Sequence, residues 1–532
     1  MSLFTTVISK APKRNAFDLS FENLFTAEFG QLIPIVCKEV LPGDKFRCNT
    51  EILVKTAPML APVMSRIDAY MYTFFVPNRL LQTDWEEFIT TGTDGLSTSL
   101  LPVGAKLSAV ASQFLNGWRN ELPDYLNLPD VTATDIAGVT GLGDLYLNLL
   151  NFGAYQKIYS DWFRDELLDA YEFEPVAGGQ LSFANLQKWV TLRYRSWRKD
   201  YFTSARPTTQ LGQPIGAPIT GDISADGPFR FKQSVSSASN VSLARKGTVQ
   251  ETIDSEYYAP IYANNADVLQ EYGDGLSLGD AEVSILELRR ALRLQEWQER
   301  NMRGGNRYIE NIFQHFGVKS SDARLQRSQY LGGRKVPIVI SEIAQTSSTD
   351  AVSPQGNLSG RGSAVGRSKY IKFFAEEHGW LITVFSIMPK AGYMQGIPRM
   401  YWRDNYLKYP WPLLANIGEQ EVKNGELFIL QSAFDSGFGY QSQYAEMKSS
   451  FNEVHGSFRD SMLFWHNYRL FDSAPQLNND FVQLNGGQDD STNNGQNRIF
   501  PTLPDGFGHF YVQSWNDIKV VRALPKYGIP TL

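Results

Sequence analysis

The chain has 532 residues, of which 42% are hydrophobic and 20% charged, and its formal net charge is −6. This composition excludes a disordered protein, and the acidic balance excludes a chain that binds nucleic acid over its whole surface, so nucleic-acid contacts would need local basic patches. The N-terminus has no apolar run that suits a signal peptide and cysteines are too few for a disulfide-stapled secreted domain, so we expect a soluble chain made in the cytoplasm.

Residues 1–29 are interpreted as an N-terminal arm. Its positive charge comes from three side chains that we take as candidate nucleic-acid contacts, Lys10, Lys13 and Arg14. Aromatic and leucine side chains follow between Phe17 and Phe29, and two interpretations of them stay open. They could anchor the arm on a neighbouring subunit, or they could pack the segment on its own domain.

Alternating apolar side chains predict three strands within residues 30–80, at about Ile33–Lys38, Phe46–Val54 and Ile67–Val76. Pro42-Gly43 suits the centre of a type II turn between the first two. Consecutive strands with no helix between them predict an antiparallel sandwich or barrel. Cys37 and Cys48 lie in the first two strands, so we expect buried free thiols, with a cross-strand disulfide left open.

A helix is predicted from about Asp144 to Leu168, because apolar side chains recur at helical spacing through most of this stretch. Its aromatic stripe is typical of core packing. A second helix is predicted after residue 284, where Ser284 and Glu287 form a capping box and Gly304-Gly305 ends the apolar stripe.

The stretch from Leu186 to Gly212 interleaves cations with aromatic rings. A site for single-stranded nucleic acid needs both, because cations contact phosphates and rings stack on bases. The candidate contacts here are Arg193, Arg195, Trp197, Arg198 and Lys199. The alternative is a core or subunit-interface element whose arginines pair with carboxylates.

Residues 210–275 lose all helical spacing, and Gly, Ser, Ala, Asn and Pro dominate them. A segment of this length between ordered elements is usually functional or disordered. Short alternations, as at residues 229–231, predict surface hairpins.

Ordered motifs along the chain resemble those of the major capsid protein of Microviridae, and the gokushovirus branch fits best. They cover nearly the whole chain outside residues 210–275, and Glu287–Gly333 holds the most specific of them. The motifs are EVLPGD, APVM and FFVPNRL near the start, then GAYQKIYSDWFRDELL and KDYFTSARP, and finally RGGNRY, HFGV, DARLQR and YLGG.

The resemblance implies a mainly β fold, an eight-stranded antiparallel jelly roll of the viral capsid type with large helical and loop insertions. It implies four parts of the chain: the arm at 1–29, the first strands and a helical insertion at 30–209, a variable surface insertion at 210–275, and a helical segment with the closing strands at 276–532. The variable insertion would form protrusions at threefold axes and attach to a host. Its candidate attachment residues are Phe229, Arg230, Phe231 and Lys232.

The implied function is a T=1 icosahedral shell of about sixty copies around a circular single-stranded DNA phage genome. The implied partners are an internal scaffolding protein, a DNA pilot protein and a host surface receptor, with assembly in the cytoplasm of a bacterial host. No metal-ligand spacing, phosphate-binding loop or nucleophile motif occurs, so we expect no enzyme, cofactor or metal. The alternative is a lectin-like jelly roll that binds carbohydrate, since a fold alone does not fix a function.

Overall fold

The computed structural model describes residues 13–90, 101–114, 117–212, 223–225, 230–233, 269–272, 276–278, 285–304, 321–344, 358–484, 495–501 and 508–527. The chain divides into two compact units. The larger unit combines Met1–Thr209 with Met302–Leu532, and the smaller unit is Gln210–Asn301.

Strands dominate the larger unit. The strands of the described residues are β1 (Asn15–Asp18), β2 (Phe21–Ala27), β3 (Ile33–Val40), β4 (Lys45–Thr56), β5 (Ile67–Pro77), β6 (Val103–Lys106), β7 (Tyr146–Asn148), β8 (Gly179–Gln180), β9 (Ile223–Ala225), β10 (Arg230–Gln233), β11 (Leu269–Tyr272), β12 (Leu276–Leu278), β13 (Gln329–Ala344), β14 (Leu358–Arg367), β15 (Ile371–Phe374), β16 (Gly379–Pro389), β17 (Glu419–Lys423), β18 (Gly437–Ser442) and β19 (Phe510–Arg522).

The main strands pair as a hairpin rolled upon itself. Strands β1 and β2 both pair with the last strand, β19, and β3 pairs with β16. Strand β4 pairs with β14 and β15, and β5 pairs with β13. All of these pairs are antiparallel. Sheet A contains β1, β2, β19, β4, β14 and β15, and sheet B contains β3, β16 and β5. Strand β13 joins both, because its first part pairs with β5 and its last part, Val339–Ala344, with β14. This is a jelly roll, and it confirms the predicted fold class.

The main core lies between the two sheets, where alternate side chains of each strand point inward. Phe46 and Val54 of β4 are buried there together with Leu381 and Phe385 of β16. Phe29 is fully buried in the same core. Residues 15–27 are strands of sheet A, so the described part of the predicted arm packs on its own domain, as the second of the two interpretations held.

The turn between β3 and β4 has the predicted form. The Asp44 backbone N–H donates to the Leu41 carbonyl over 3.1 Å, and Gly43 has a φ of +86°, which suits the third position of a type II turn. The Asp44 carboxylate is fully buried and accepts from the Arg522 guanidinium at 2.7 Å. The last residue of β19 is thereby tied to the first turn of the sandwich.

Several helices of the larger unit cover the outer face of sheet B. The helices of the described residues, in both units, are α1 (Trp85–Thr90), α2 (Leu107–Ala111), α3 (Leu122–Tyr125), α4 (Ala133–Ala137), α5 (Leu150–Ile158), α6 (Phe183–Val190), α7 (Ile285–Gly304), α8 (Asn424–Leu427) and α9 (Asn479–Val482). Phe74 of β5 and Ile382 of β16 are buried in a second apolar cluster with Phe152 and Tyr155 of α5 and Trp189 of α6. None of the helices within the described ranges is both long and apolar enough to cross a membrane.

The predicted helix over residues 144–168 is wrong in its extent. Strand β7 occupies its start because residues 146–148 pair with β6, and α5 begins only after the Asn148 side chain accepts from the Leu150 N–H at 3.0 Å. A single π turn, Tyr159–Phe163, then ends the helix, since Arg164 is extended. Tertiary strand pairing therefore overrides the helical spacing of the apolar residues.

The smaller unit contains two short strand pairs and α7. Strand β10 pairs with β11, and β9 pairs with β12, both antiparallel, as the predicted hairpins require. The unit extends beyond the predicted boundary at residue 275, because β12 is still tied to β9. The predicted helix is present as α7, whose surface carries an ion-paired triplet of Arg293, Glu296 and Arg300. Ser284 of the predicted capping box lies outside the described residues.

Substitution of Arg522 by alanine removes the cation that pairs with the buried Asp44 carboxylate. An uncompensated buried charge is strongly destabilising, so we expect R522A to lower the free energy of unfolding of the subunit by about 3 kcal/mol. Urea unfolding followed by tryptophan fluorescence measures this change. Lys519 on the same strand is 62% exposed, so K519A is the matched control and should change stability by less than about 0.5 kcal/mol. Equal effects of the two substitutions would contradict the role of the buried pair.

Candidate nucleic-acid interface

The predicted basic and aromatic residues lie on an extended segment that crosses the outer face of sheet B. Its backbone is held on two sides, because the Arg195 N–H donates to the Gly30 carbonyl at 2.7 Å and the Trp197 N–H donates to the Val482 carbonyl at 2.8 Å. The segment therefore has a fixed position between the start of β3 and the end of α9. All five predicted side chains of this segment lie within residues 193–199.

Arg193 uses its side chain inside the subunit. Its Nε donates to Gln156 Oε1 at 2.7 Å and its Nη2 donates to the Lys188 carbonyl at 3.1 Å. Its guanidinium also lies 3.9 Å from the centre of the Tyr171 ring. These contacts fix Arg193 against α5 and α6.

Arg195 and Trp197 also contact their own chain. The Arg195 guanidinium donates to Tyr72 Oη at 3.2 Å and to Ser386 Oγ at 3.3 Å, and it lies 4.5 Å from the Tyr70 ring centre. Trp197 is 5% exposed and packs with the main cluster of buried apolar residues. Arg195 is nevertheless half-buried rather than enclosed, and it lines a groove described below.

Arg198 and Lys199 are the exposed cations of the segment. Lys199 pairs with the carboxylate of Asp165. Burial by itself would raise the pKa of Asp165, but the Lys199 ammonium, the Leu167 N–H and the Arg206 charge together hold that pKa below its ordinary value. Lys199 is therefore partly neutralised, and Arg198 keeps more of its charge for an external anion.

A groove of about 550 Å³ opens beside this segment. Its aromatic lining is Tyr72, Phe74, Trp162, Phe163, Trp197 and Tyr330, and its basic lining is Arg164, Arg195, Arg198, Lys199 and Arg206. Asp165 and Glu166 add two carboxylates to the wall. Tyr330 is 40% exposed and its ring centre lies 5.6 Å from that of Trp162, so a flat ring is open to a stacking partner. Exposed rings among cations match what a single-stranded nucleic acid requires.

A second group of cations lies on the same side of sheet B and was missed by the sequence analysis. Asp68 of β5 is buried and pairs with Arg66 at 3.1 Å and with Lys335 of β13 at 2.7 Å. Lys390 follows β16, and its pKa is lowered by burial and by the cations of Arg198, Lys335 and Arg66. Arg66 and Lys335 thus pair with one carboxylate, and Lys390 lies close enough to both of them and to Arg198 to interact electrostatically. We call Arg66, Arg198, Lys335 and Lys390 the basic cluster; of these, only Arg198 was a candidate in the sequence analysis.

No sequence signal could have identified the basic cluster, because its members come from separate parts of the chain. Sheet pairing brings them together, since Lys335 lies opposite Tyr70 and the end of β16 lies opposite the start of β5. The useful signal would have been strand register, which places Arg66 before β5, Lys390 after β16 and Lys335 within β13 near one another.

The remaining predicted site residues lie elsewhere or outside the described part of the chain. The Arg14 guanidinium lies over Gly43 in the first turn, and neither it nor Lys13 lines the groove. Lys10 and Phe229 are outside the described residues. The backbone of Arg230, Phe231 and Lys232 forms β10 in the smaller unit.

The cysteines and acidic groups support no metal centre in the part of the chain that the structure describes, where no cluster of three potential ligands occurs. Cys37 and Cys48 are both free, which confirms the expected thiols. Burial raises the pKa of each thiol to about 12, so both remain protonated and unreactive at neutral pH.

Comparison with known proteins connects this fold to one family. The family model described as "Capsid protein (F protein)" matches residues 5–532. The chain is 32% identical over 547 residues to capsid protein VP1 of Bdellovibrio phage phiMH2K and 30% identical over 600 residues to that of Chlamydia phage 1, and both comparisons cover 99% of this chain and 97% of the relative. Capsid protein VP1 of Spiroplasma virus 4 is 29% identical over 503 residues, covering 88% of this chain and 87% of the relative.

These similarities extend through the jelly roll and both of its large insertions, so they decide against the lectin-like alternative. The chain therefore belongs to the F-protein family of Microviridae capsid proteins, which are structural components of the virion and not enzymes.

Proposed function

We propose that about sixty copies of this chain close into a T=1 icosahedral shell around a circular single-stranded DNA genome. A capsid protein acts as a homo-oligomeric shell, and the family match over nearly the whole chain carries the proposal. The closed jelly roll suits this role because a rigid sandwich can present its insertions as fixed surfaces to neighbouring copies.

The basic cluster and the adjacent groove are the proposed contacts for the packaged DNA. Phosphates would bind the exposed cations, and an unpaired base would stack on Tyr330 or Tyr72 at the groove. Arg198 belongs to both features, so one strand could contact the cluster and the groove together. A net charge of −6 makes such a local site necessary, because the rest of the surface repels a polyanion on balance.

The smaller unit is the proposed host-attachment module, with residues 210–275 as its variable part. Its compactness supports this role, because an independent unit can change without altering the jelly roll. Three copies that meet at a threefold axis would bind a repeated surface ligand with avidity. The resemblance to gokushoviruses extends the proposal to an internal scaffolding protein, a DNA pilot protein and a host surface receptor as partners.

Electron cryomicroscopy of particles from expressing cells tests the shell directly. We expect closed particles whose icosahedral reconstruction contains one copy of the chain per asymmetric unit, about sixty in all. Helical tubes, or a shell that needs several non-equivalent copies per asymmetric unit, would contradict the T=1 proposal.

The DNA contacts are tested with a triple substitution, R198Q/K335Q/K390Q, and a single-stranded oligonucleotide. Each lost phosphate contact lowers the dependence of log affinity on log salt by about 0.7 for single strands, so we expect a slope smaller by about 2. Fluorescence anisotropy at several salt concentrations measures the slope.

Two matched variants complete this experiment. The exposed cations Lys188, Arg324 and Lys448 lie outside the cluster, so K188Q/R324Q/K448Q changes the net charge equally and should leave the slope unchanged. Tyr330→Leu removes a ring but no charge, so it should weaken binding by about 1 kcal/mol at constant slope. Equal slopes for the two triple variants would contradict the assignment of the cluster.

Replacement of residues 215–270 by a short Gly/Ser linker tests the attachment module. Loop-closure cost grows slowly with length, so the scaffold should tolerate the change and we expect DNA-filled particles that no longer adsorb to host cells. Particle yield, genome content and adsorption are measured together. Failure to assemble would instead support a subunit-packing clamp, and normal adsorption would remove the attachment role.

A further inference from the structure

Residues 400–417, in the insertion between β16 and β19, expose a dense group of apolar side chains. We call this group the 400–417 surface. Its members and their exposed fractions are Met400 57%, Tyr401 71%, Tyr406 71%, Leu407 58%, Tyr409 53%, Trp411 48%, Leu413 89% and Ile417 69%. Soluble monomers rarely leave so many large apolar side chains uncovered on one short stretch.

The exposure does not result from a loose backbone, because hydrogen bonds hold the segment in three short 3-10 turns. The Asn405 side chain accepts from the Leu407 N–H at 3.0 Å, and Trp411 Nε1 donates to the Tyr406 carbonyl at 2.8 Å. The Trp411 N–H donates to Tyr444 Oη at 3.2 Å. These hydrogen bonds are made within the chain while the apolar faces remain open. Such a preorganised surface loses little entropy when it binds.

The charges of this segment are neutralised internally. Its charged residues are Arg403, Asp404 and Lys408, and Lys408 pairs with Asp404 at 2.7 Å while Arg403 pairs with Glu446 at 3.2 Å. A nucleic acid or an anionic headgroup would need cations free to meet phosphate. The depletion of available charge and the abundance of tyrosine and tryptophan instead match the core of a protein–protein interface.

The size of the 400–417 surface also matches a stable protein interface. The eight side chains present on the order of 1,000 Å², against about 800 Å² that each partner contributes to a standard interface. An apolar area of this size needs a permanent cover, because a partner that departs after assembly would leave it exposed on the finished particle. In a shell built of one chain, the partner that stays is another copy.

We infer that the 400–417 surface is a subunit contact covered by a second copy of this chain, with Leu413 as its most exposed member. This inference rests on the proposed shell and deepens it by naming the surface through which copies associate. Leu413 and Ile417 are its most exposed aliphatic side chains, so changing them affects association without disturbing the fold of the free subunit.

Photo-crosslinking identifies the occupant. A benzophenone amino acid at position 413 is irradiated in purified particles, and adducts are resolved by mass. The expected product is a covalent pair of two copies of the 60.0 kDa chain. An adduct with a different protein, an adduct with DNA, or the absence of any adduct would each overturn the inference.

Charged substitutions test the requirement for this contact. We expect L413D/I417D to reduce particle yield by about tenfold or more while the soluble subunit keeps its unfolding midpoint. The matched control is V365D/V339D, because Val365 is 79% and Val339 62% exposed on the outer face of the sandwich, and its yield should stay within about twofold. Normal yield from L413D/I417D, or equal loss from both pairs, would overturn the inference. Absence of particles from the unaltered chain would instead reject the shell proposal itself.

Discussion

The pairing of the last strand with the first ones is the constraint on which the rest of the molecule depends. Strand β19 lies between β4 on one side and β1 and β2 on the other, so the ends of the chain complete sheet A together. The cost of closing loops grows slowly with their length, so once the strands are paired the chain can carry long insertions between β5 and β13 and between β16 and β19. One insertion shields sheet B with helices, and the other presents the 400–417 surface.

Much of the fold could be predicted because the strands carry their own signal. The alternation in β4 and the turn at Pro42-Gly43 are local features, and both were interpreted correctly. The helix over residues 144–168 could not be predicted correctly, because Asn148 starts α5 late and the pairing of β7 with β6 depends on a distant segment. Local periodicity reports which side chains are apolar, but not which neighbour they meet.

The candidate site, like the fold, could be predicted only in part from the sequence. Interleaved cations and rings marked residues 193–199 as a candidate segment, but they could not reveal that Arg193 and Trp197 are used in internal packing. The cations with more charge to offer come together only through strand register, as Lys335 and Lys390 do beside Arg198. The sequence pattern therefore identifies a candidate segment, and the packing on the sheet determines which of its charged side chains are exposed to solvent.

The crossing of β13 between sheet A and sheet B opposes uncontrolled polymerisation through exposed strand edges. It covers one side of the sandwich with continuous hydrogen-bonded backbone, and in the described part of the molecule the strands that end the opposite side are β1 and β2 of sheet A and β3 of sheet B. Tyr125 Oη donates to the Thr26 carbonyl at 2.9 Å and Asn23 Nδ2 donates to the Ile35 carbonyl at 3.4 Å, so side chains occupy acceptors that a foreign strand would use. Open-ended strand addition leads to fibres, whereas a virus needs a finite particle from many identical copies. The strand order of this sandwich thus favours assembly into closed particles over growth into fibres at the high protein concentrations that assembly requires.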